Sequence, residues 1–358
     1  MPEKKLILIK PYLQRALLRL SLFLIFGIFA PILLVWATIA IQYSTLPGET
    51  FRYTLSLIFA FGSLLMFFFM KNISKALMIF AGVVAVVLLG WLSISPSTKG
   101  KVYLPGVAVQ GTAQIDGNIV KVKKIRNFKY KSNTDYKIAY FDKTYDLNKL
   151  EGVDLFVSHW DGLEAIAHTF LGFYFSNGDT LCVSVEVRRE QGEEYSTMKG
   201  FLKQFELIYV LSVEQDIVRV RTNFRGEETF LYPLKHDKET SQKLLVSLLH
   251  GATKLVEEPK FYNTVGQNCT TTLAEHFDEV AGRPMAYHTK ILLNGFSDQF
   301  AYERGMLPQE LPFFTLKDCC YITDYAKTLP ADENFGPALR EYVNGKIEKK
   351  LLELKSTE

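Results

Sequence analysis

Three long apolar runs in the first hundred residues constrain the fold of this chain most strongly. They cover residues 16–42, 53–70 and 76–94, and each is long enough to cross a hydrocarbon core of about 30 Å as a helix. Pro31 in the first run predicts a kink, which is tolerated where neighbouring helices satisfy the freed backbone groups. Because no run is followed by a convincing signal-peptide cleavage site, we predict three retained transmembrane helices that form an anchor over residues 1–94.

The basic residues around these runs indicate the orientation of the anchor. Most of them lie before the first run or between the second and third, namely at Lys4, Lys5, Lys10, Arg15, Arg19, Lys71 and Lys75. The loop over residues 43–52 carries only one basic residue. The positive-inside rule then places the N-terminus in the cytoplasm and everything after Ile94 across the membrane. In a bacterium this predicts an inner-membrane protein whose main domain is periplasmic.

The remaining residues divide into a short connection and one large domain. Residues 95–120 are predicted to form a linker and a short hairpin, since Asp116-Gly117 is a strong turn dipeptide. Residues 121–358 are long enough for a single domain with its own core. The net charge of +3 is too small to indicate a nucleic-acid partner.

The cysteine content excludes a disulfide framework. The four cysteines, Cys182, Cys269, Cys319 and Cys320, are too few and too unevenly spaced for one. No Cys-x-x-Cys pair and no histidine pair indicates zinc. We therefore predict no metal and no cofactor, and we interpret the adjacent Cys319 and Cys320 as structural.

Several short segments of the soluble part alternate apolar and polar residues, which is the pattern of β-strands. These segments are residues 168–175, 180–188, 205–213, 216–222 and 229–234. The first two flank Ser176-Asn177-Gly178-Asp179, a hairpin signal. Residues 240–256 have helical spacing. Together they predict an α+β domain with a mostly antiparallel sheet.

Cys269 lies where a polar run opens onto an apolar-periodic segment that ends at Gly282. Thr272 and Glu275 have the spacing of a capping box, which predicts that a helix begins here. A thiol on the first turn of a helix meets the positive end of the helix dipole and unpaired N–H groups, which favour the thiolate. A buried structural cysteine explains the same position equally well.

A thiol nucleophile needs a base, and His168 is the candidate because it begins a strand among apolar neighbours. A hydrogen-bonded core histidine is the alternative interpretation. Across the predicted hairpin, Ser184 and Glu186 share the parity that lets them reach the far nitrogen of the ring. We favour Glu186, since a carboxylate orients the ring and stabilises imidazolium. A surface ion pair of Glu186 with Arg188 or Arg189 is the alternative.

The remaining parts of a catalytic site are predicted near the cysteine. The backbone N–H of Cys269 is a candidate donor to an oxyanion, with Asn268 and Tyr262 as neighbouring polar or positioning groups. His276 lies further along the same predicted helix as Cys269, where it is poorly placed to act as the base.

Several motifs in order resemble the Lnb N-terminal periplasmic domain family. They include residues 126–130, 166–173, 184–190, 221–223, 262–263, 268–271 and 294–298. The resemblance covers most of residues 121–314. It implies a permuted papain-like (NlpC-type) fold in which Cys269 is the nucleophile and His168 the base. It also implies an acyltransferase similar to lipoprotein N-acyltransferases, with a membrane phospholipid as acyl donor and a lipoprotein N-terminus as acceptor.

Three hypotheses about function follow. The first is a membrane-anchored periplasmic cysteine acyltransferase that works through a Cys269 thioester. The second is a thiol peptidase or amidase of the cell envelope with the same dyad. The third is a non-catalytic envelope scaffold, which requires Cys269 and His168 to lie far apart. An apolar groove beside Cys269 favours the first hypothesis, and a polar, charged groove favours the second.

Overall fold

The computed structural model describes residues 23–160, 162–282, 284–285 and 288–356. The chain divides into two compact units, Met1–Ser95 and Pro96–Glu358. The first unit contains a π-helical segment, Phe23–Phe29, followed by the α-helices Ala30–Gln42, Glu49–Phe69 and Ile73–Leu92. Pro31 lies in the first turn of its α-helix, directly after the π-helical segment.

Two helices of the first unit are long and apolar enough to cross a membrane. They are Glu49–Phe69 and Ile73–Leu92, whereas Gly27–Gln42 is a shorter apolar helix. The beginning of the predicted first span, up to residue 22, lies outside the described residues. Phe68 and Val86 are 81% and 69% exposed. Apolar exposure of this extent is unfavourable in water and favourable in hydrocarbon, which supports a membrane location for these helices.

Small residues line the contacts between these helices. Ala37 and Ala76 are fully buried, and Ser56 is buried while its hydroxyl donates to the Tyr53 carbonyl at 2.7 Å. Phe80 packs into the same cluster as Ala37. Small side chains allow helix backbones to approach closely, which is how helices associate where no hydrophobic effect acts between them.

The second unit is built on one large sheet. Its strands and a small two-stranded ribbon are β1 (Thr112–Asp116), β2 (Ile119–Arg126), β3 (Lys129–Tyr130), β4 (Tyr136–Lys137), β5 (Tyr140–Asp146), β6 (Leu150–His159), β7 (Ala167–Phe175), β8 (Thr180–Arg188), β9 (Glu206–Ser212) and β10 (Glu228–Pro233). The sheet order is β1-β2-β9-β8-β7-β6-β10, with β5 on β2 and the ribbon β3-β4 separate. Every pair except β2–β9 is antiparallel, so the predicted mostly antiparallel sheet is confirmed.

The second unit also contains helices of very different lengths. They are Pro105–Ala108, Thr197–Phe201, Glu214–Arg219, Lys238–Glu257, Cys269–Ala281, Thr289–Leu292, Ser297–Glu303, Phe313–Cys320, Thr323–Thr328 and Phe335–Lys355, with a π-helical segment, Val220–Arg225, and the 3₁₀ turns Leu147–Lys149 and Asn294–Phe296.

Helices cover both faces of the sheet, as alternate residues of β7 show. Thr169 contacts Thr270 of the Cys269–Ala281 helix, 2.7 Å between their hydroxyl oxygens. Tyr174 points to the other face, where its ring packs 4.4 Å from the guanidinium of Arg340. A strand buried on both faces has no polar side, which explains the long apolar runs in β6 and β7.

A buried charge cluster ties the C-terminal helix, Phe335–Lys355, to the sheet. Arg340 Nε donates to Asp154 Oδ2 of β6 at 2.7 Å, and its other guanidinium nitrogens contact both oxygens of Glu214. Asp154 and Glu214 are each only 1% exposed. Gly336 is required here, because a Cβ at that position would collide with Glu214 Oε2. The charges of the cluster therefore depend on Arg340 for compensation.

One predicted strand is wrong. Residues 216–222 form the end of the Glu214–Arg219 helix and the beginning of the π-helical segment rather than a strand. Asp216 is fully buried, where its carboxylate accepts hydrogen bonds from Arg126 and from the Phe128 N–H. Most neighbouring residues are buried as well. A helix buried on nearly all sides has no polar face, so its period of 3.6 is hidden.

The connection predicted over residues 95–120 also differs from the structure. Its hairpin is present, with Gly117 at a φ of +56°, but β1 and β2 are part of the main sheet rather than a separate element. The parallel bridge between Arg126 and Ser212 joins this hairpin to β9. The β6 strand, which was not predicted, lies between β7 and the edge strand β10.

Candidate active site

The Cys269–Ala281 helix begins with a complete cap. Asn268 Oδ1 accepts hydrogen bonds from the N–H groups of Thr270 and Thr271 at 2.9 and 2.8 Å, and the Thr271 hydroxyl accepts from the Asn268 N–H at 2.9 Å. The capping box is therefore Asn268 with Thr271, and the predicted box of Thr272 with Glu275 is wrong. Asn268 Nδ2 donates to the Thr264 carbonyl at 2.9 Å. Both polar groups of the Asn268 side chain are therefore hydrogen-bonded to the backbone, where they fix the start of the helix.

Cys269 is the first residue of this helix and only 4% exposed. Its sulfur lies 3.7 Å from the Thr270 hydroxyl and 3.6 Å from Nδ2 of Asn294. The Thr169 N–H and the His168 ring lie near enough to this sulfur to lower its pKa. A residue at this position has no intrahelical acceptor for its own N–H, which is therefore available to a ligand.

His168 connects Cys269 to a chain of polar groups on β8. Its Nε2 lies 2.8 Å from the Ser184 hydroxyl, which donates to Glu186 Oε1 at 2.9 Å. Nε2 and Glu186 Oε1 are 3.5 Å apart. Because Nε2 faces Ser184, Nδ1 is the nitrogen left for the thiol. Both residues that strand parity selected are thus in place, with Ser184 the nearer.

Arg221 completes this chain on the far side of the carboxylate. Its Nη2 donates to Glu186 Oε1 at 2.8 Å, and its guanidinium lies 5.0 Å from the Phe170 ring. The same ring stacks on His168, with 5.9 Å between centroids. Arg221 was not predicted as a site residue, since its range was interpreted as a strand.

The electrostatics of the pair favour a thiolate and an imidazolium. Burial by itself would raise the pKa of Cys269, but the imidazolium of His168 and the surrounding hydrogen bonds lower it to about 6. Burial would lower the pKa of His168, but the Glu186 carboxylate, together with Cys269, raises it to about 9. Despite burial, His168 and Arg221 hold the pKa of Glu186 well below its usual range. Between pH 6 and 9 both charged forms therefore dominate.

The other cysteines are in a different electrostatic environment. Burial raises the pKa of Cys182, Cys319 and Cys320. All four cysteines are free thiols. His276 lies between Tyr209 and Ser247, at 2.8 and 2.7 Å, and burial lowers its pKa to about 4. It is a neutral ring that joins a strand to two helices, away from Cys269.

Asn294 is a second site residue that was not singled out from the sequence. Its Oδ1 accepts from the Ala167 N–H at 3.0 Å, which fixes the amide and directs Nδ2 at the Cys269 sulfur. Its position at the start of the motif over residues 294–298 was the available signal. Tyr262 also lines the site, and burial keeps its pKa well above the usual range, so its phenol is protonated.

These residues open onto one cleft of about 620 Å³. One part of the lining is apolar, formed by Leu104, Val107, Trp160, Ile166, Val185 and Val187, and another is charged, formed by Arg126, Arg189, Arg221, Arg225, Glu186 and Glu227. The groove beside Cys269 thus has both the apolar residues expected for an acyltransferase and the charged residues expected for a peptidase or amidase. In the part of the chain that the structure describes, no group of three or more histidine, cysteine or acidic side chains is arranged to hold a metal ion.

The comparison with known families agrees with the motifs. Residues 136–295 match the model of the Lnb N-terminal periplasmic domain. The chain carries an Lnb N-terminal periplasmic domain. The matched range of this Lnb domain contains His168, Glu186, Cys269 and Asn294. No curated protein and no solved structure matches the chain. The Lnb domain and the two apolar helices together fit a membrane-associated periplasmic protein.

Proposed function

We propose that this protein is a membrane-anchored cysteine acyltransferase that takes an acyl chain from a phospholipid and passes it to an amine, such as a lipoprotein N-terminus. The observation that carries the proposal is the Cys269–His168 pair, in which a thiol of lowered pKa lies at a helix start and opens onto a partly apolar cleft. The proposal includes a permuted papain-like fold, because His168 on a strand precedes Cys269 on a helix in the chain.

The geometry supports a two-step transfer. The Cys269 thiolate attacks the ester carbonyl, an S–C bond forms, and the C–O bond breaks as the leaving alkoxide takes the proton of His168. The amine then attacks the thioester and gives a proton to His168, and the S–C bond breaks to restore the thiolate. The proposed donors to the oxyanion in both steps are the Cys269 N–H and Asn294 Nδ2, which lies 3.6 Å from the Cys269 sulfur.

The anchor supports a lipid substrate held at the same membrane. The orientation included in the proposal has the N-terminus in the cytoplasm and the catalytic domain in the periplasm, following the excess of lysine and arginine before the first apolar run. A substrate confined to a bilayer favours an enzyme that is tethered to it.

A thiol peptidase or amidase of the envelope is the second candidate. The charged part of the cleft favours it, since Arg189 and Glu227 offer partners to the backbone and side chains of a peptide. The same pair and the same oxyanion donors serve amide cleavage. The scaffold hypothesis required Cys269 and His168 to be far apart; both residues line the same cleft, which supports an enzymatic role instead.

Acyl transfer predicts a covalent intermediate. When the full-length protein is mixed with phospholipid vesicles and no amine acceptor, we expect its mass to increase by one acyl chain, located on Cys269 by peptide mapping and released by hydroxylamine. Cys269→Ala should carry no adduct, and Cys319→Ala, which removes a thiol outside the cleft, should carry it normally. Cleavage of an envelope peptide without an adduct would identify a peptidase instead. The absence of both activities would contradict both enzymatic proposals.

The pair also predicts the pH dependence of turnover. Activity should rise as Cys269 deprotonates near pH 6 and fall as His168 loses its proton near pH 9, which gives a bell-shaped profile of kcat/KM. In Glu186→Gln the carboxylate that raises the His168 pKa is lost, so the alkaline limb should move to lower pH. An alkaline limb that stays in place in Glu186→Gln would contradict the assigned role of Glu186.

A further inference from the structure

Four arginines line the cleft, and within the described part of the chain fewer acids than arginines lie beside them. Arg126 is paired with Asp216, to which its Nε and Nη2 donate at 3.1 and 2.9 Å. Arg221 is paired with Glu186 at 2.8 Å. The third carboxylate, Glu227, must serve more than one guanidinium.

Glu227 is shared between two arginines and hydrogen-bonds neither. Its oxygens lie 3.8 Å from Arg221 Nε and 3.6 Å from Arg225 Nη1. Oε2 instead accepts the Ser158 hydroxyl at 2.7 Å. Arg221 and Arg225 are about one helical turn apart. Both therefore lie near the Glu227 carboxylate, which accepts its hydrogen bond from Ser158 and not from either arginine.

Arg189 adds a further positive charge. It lines the same cleft and is half-buried, and within the described residues it has no ion-pair partner. Among the residues that the structure describes, three carboxylates therefore accompany four guanidinium groups. The ion pair of Cys269 and His168 contributes no net charge to this balance.

One buried donor in this cluster also lacks an acceptor. Arg221 is 3% exposed and lines the cleft, and its Nε has no hydrogen-bond partner among the described residues. A desolvated N–H without an acceptor is unfavourable until a ligand supplies one. The planar guanidinium fork suits the oxygens of a phosphate.

We propose that Arg189, Arg221 and Arg225 form a subsite for the phosphate group of a glycerophospholipid substrate. The inference rests on the proposed function and adds the residues that bind the phosphate group of its acyl donor. Glu186 links the subsite to the reacting pair, since it contacts Arg221 at 2.8 Å and His168 Nε2 at 3.5 Å. The glycerol backbone separates phosphate and acyl ester by only a few bonds. Phosphate at the arginines thus presents the ester towards Cys269 and leaves the acyl chain to the apolar lining.

The test is a binding measurement that requires no turnover. Full-length Cys269→Ala protein in neutral detergent is titrated with dihexanoyl phosphatidic acid, with dihexanoylglycerol, which lacks the phosphate, and with inorganic phosphate. We expect the phosphorylated lipid to bind at least about tenfold more tightly than either of the others. Adding Arg189→Gln and Arg225→Gln should remove most of this preference, and Arg225→Lys, which keeps the charge, should retain part of it.

Arg304→Gln is the matched control, because Arg304 is exposed and lies outside the cleft. It should leave all affinities unchanged, and thermal unfolding should show that each variant is folded. Equal affinity for the two lipids, or no effect of the arginine variants, would overturn the subsite. Inorganic phosphate that binds as tightly as the lipid would identify a free-anion site and overturn the lipid assignment. Since adduct formation on Cys269 is measured separately, failure of the subsite and failure of acyl transfer are distinguishable.

Discussion

Replacing either member of the cysteine–histidine pair is expected to reduce turnover by a factor on the order of 10⁴ or more. Cys269→Ala removes the proposed nucleophile. His168→Ala removes the charge that lowers the thiol pKa and the proton that, in the proposed mechanism, reaches the leaving group. Because the two groups act as a unit, the double variant should be no worse than the single ones.

Activity with vesicles and peptide substrates, together with thermal unfolding, measures this prediction. Both variants should unfold at nearly the same temperature as the unchanged protein, and Cys319→Ala should keep its activity. Iodoacetamide near pH 7 should alkylate Cys269 well before the three cysteines whose pKa is raised by burial. Retained turnover in Cys269→Ala would remove the basis of the proposed mechanism.

Arg340→Met is expected to lower the free energy of unfolding by about 3–5 kcal/mol. The substitution leaves Asp154 and Glu214 buried without their cation. Burial raises the pKa of Asp154 to about 6, despite the opposing effect of Arg340. An acid whose pKa is higher in the folded state stabilises the fold at low pH and loses this contribution as pH rises. The loss in Arg340→Met should therefore be smaller at pH 5 than at pH 8.

Urea unfolding of the full-length protein in mild detergent measures this loss. Replacing Trp36 and Trp91 with phenylalanine leaves Trp160 as the single tryptophan, which reports on the soluble unit alone. Arg304→Met, at an exposed arginine, should change stability by no more than about 0.5 kcal/mol. Adding Asp154→Asn to Arg340→Met should recover part of the loss, since it removes one uncompensated charge. An equal loss of unfolding free energy in Arg304→Met and Arg340→Met would contradict the proposed stabilising role of the buried charge cluster.

The parts of this fold that follow from local patterns could be predicted from the sequence. The β7–β8 hairpin and its turn at Gly178 have a clear period of two and a strong turn signal. Strand parity placed Ser184 and Glu186 on the side of His168, where both are found. The helix beginning at Cys269 follows from the change from polar to periodic apolar residues.

The parts that depend on tertiary contacts could not be predicted. Asn294 reaches Cys269 only because Asn294–Phe296 packs beside the start of β7, and no local pattern records this contact. The helix beginning at Glu214 is buried on nearly all sides, so its period is hidden. Whether Ser184 or Glu186 is nearer to the ring depends on side-chain geometry that parity does not determine.

The hydrogen bond between Thr169 and Thr270 has a consequence for the reaction cycle. These residues immediately follow His168 and Cys269, and their hydroxyl oxygens lie 2.7 Å apart in a buried position. Once the sulfur carries an acyl group and the ring has lost its proton, electrostatic attraction no longer holds nucleophile and base together. The two threonines are uncharged in every intermediate. In the proposed mechanism their hydrogen bond therefore keeps His168 next to Cys269 when the amine enters, and the second step begins from the same geometry as the first.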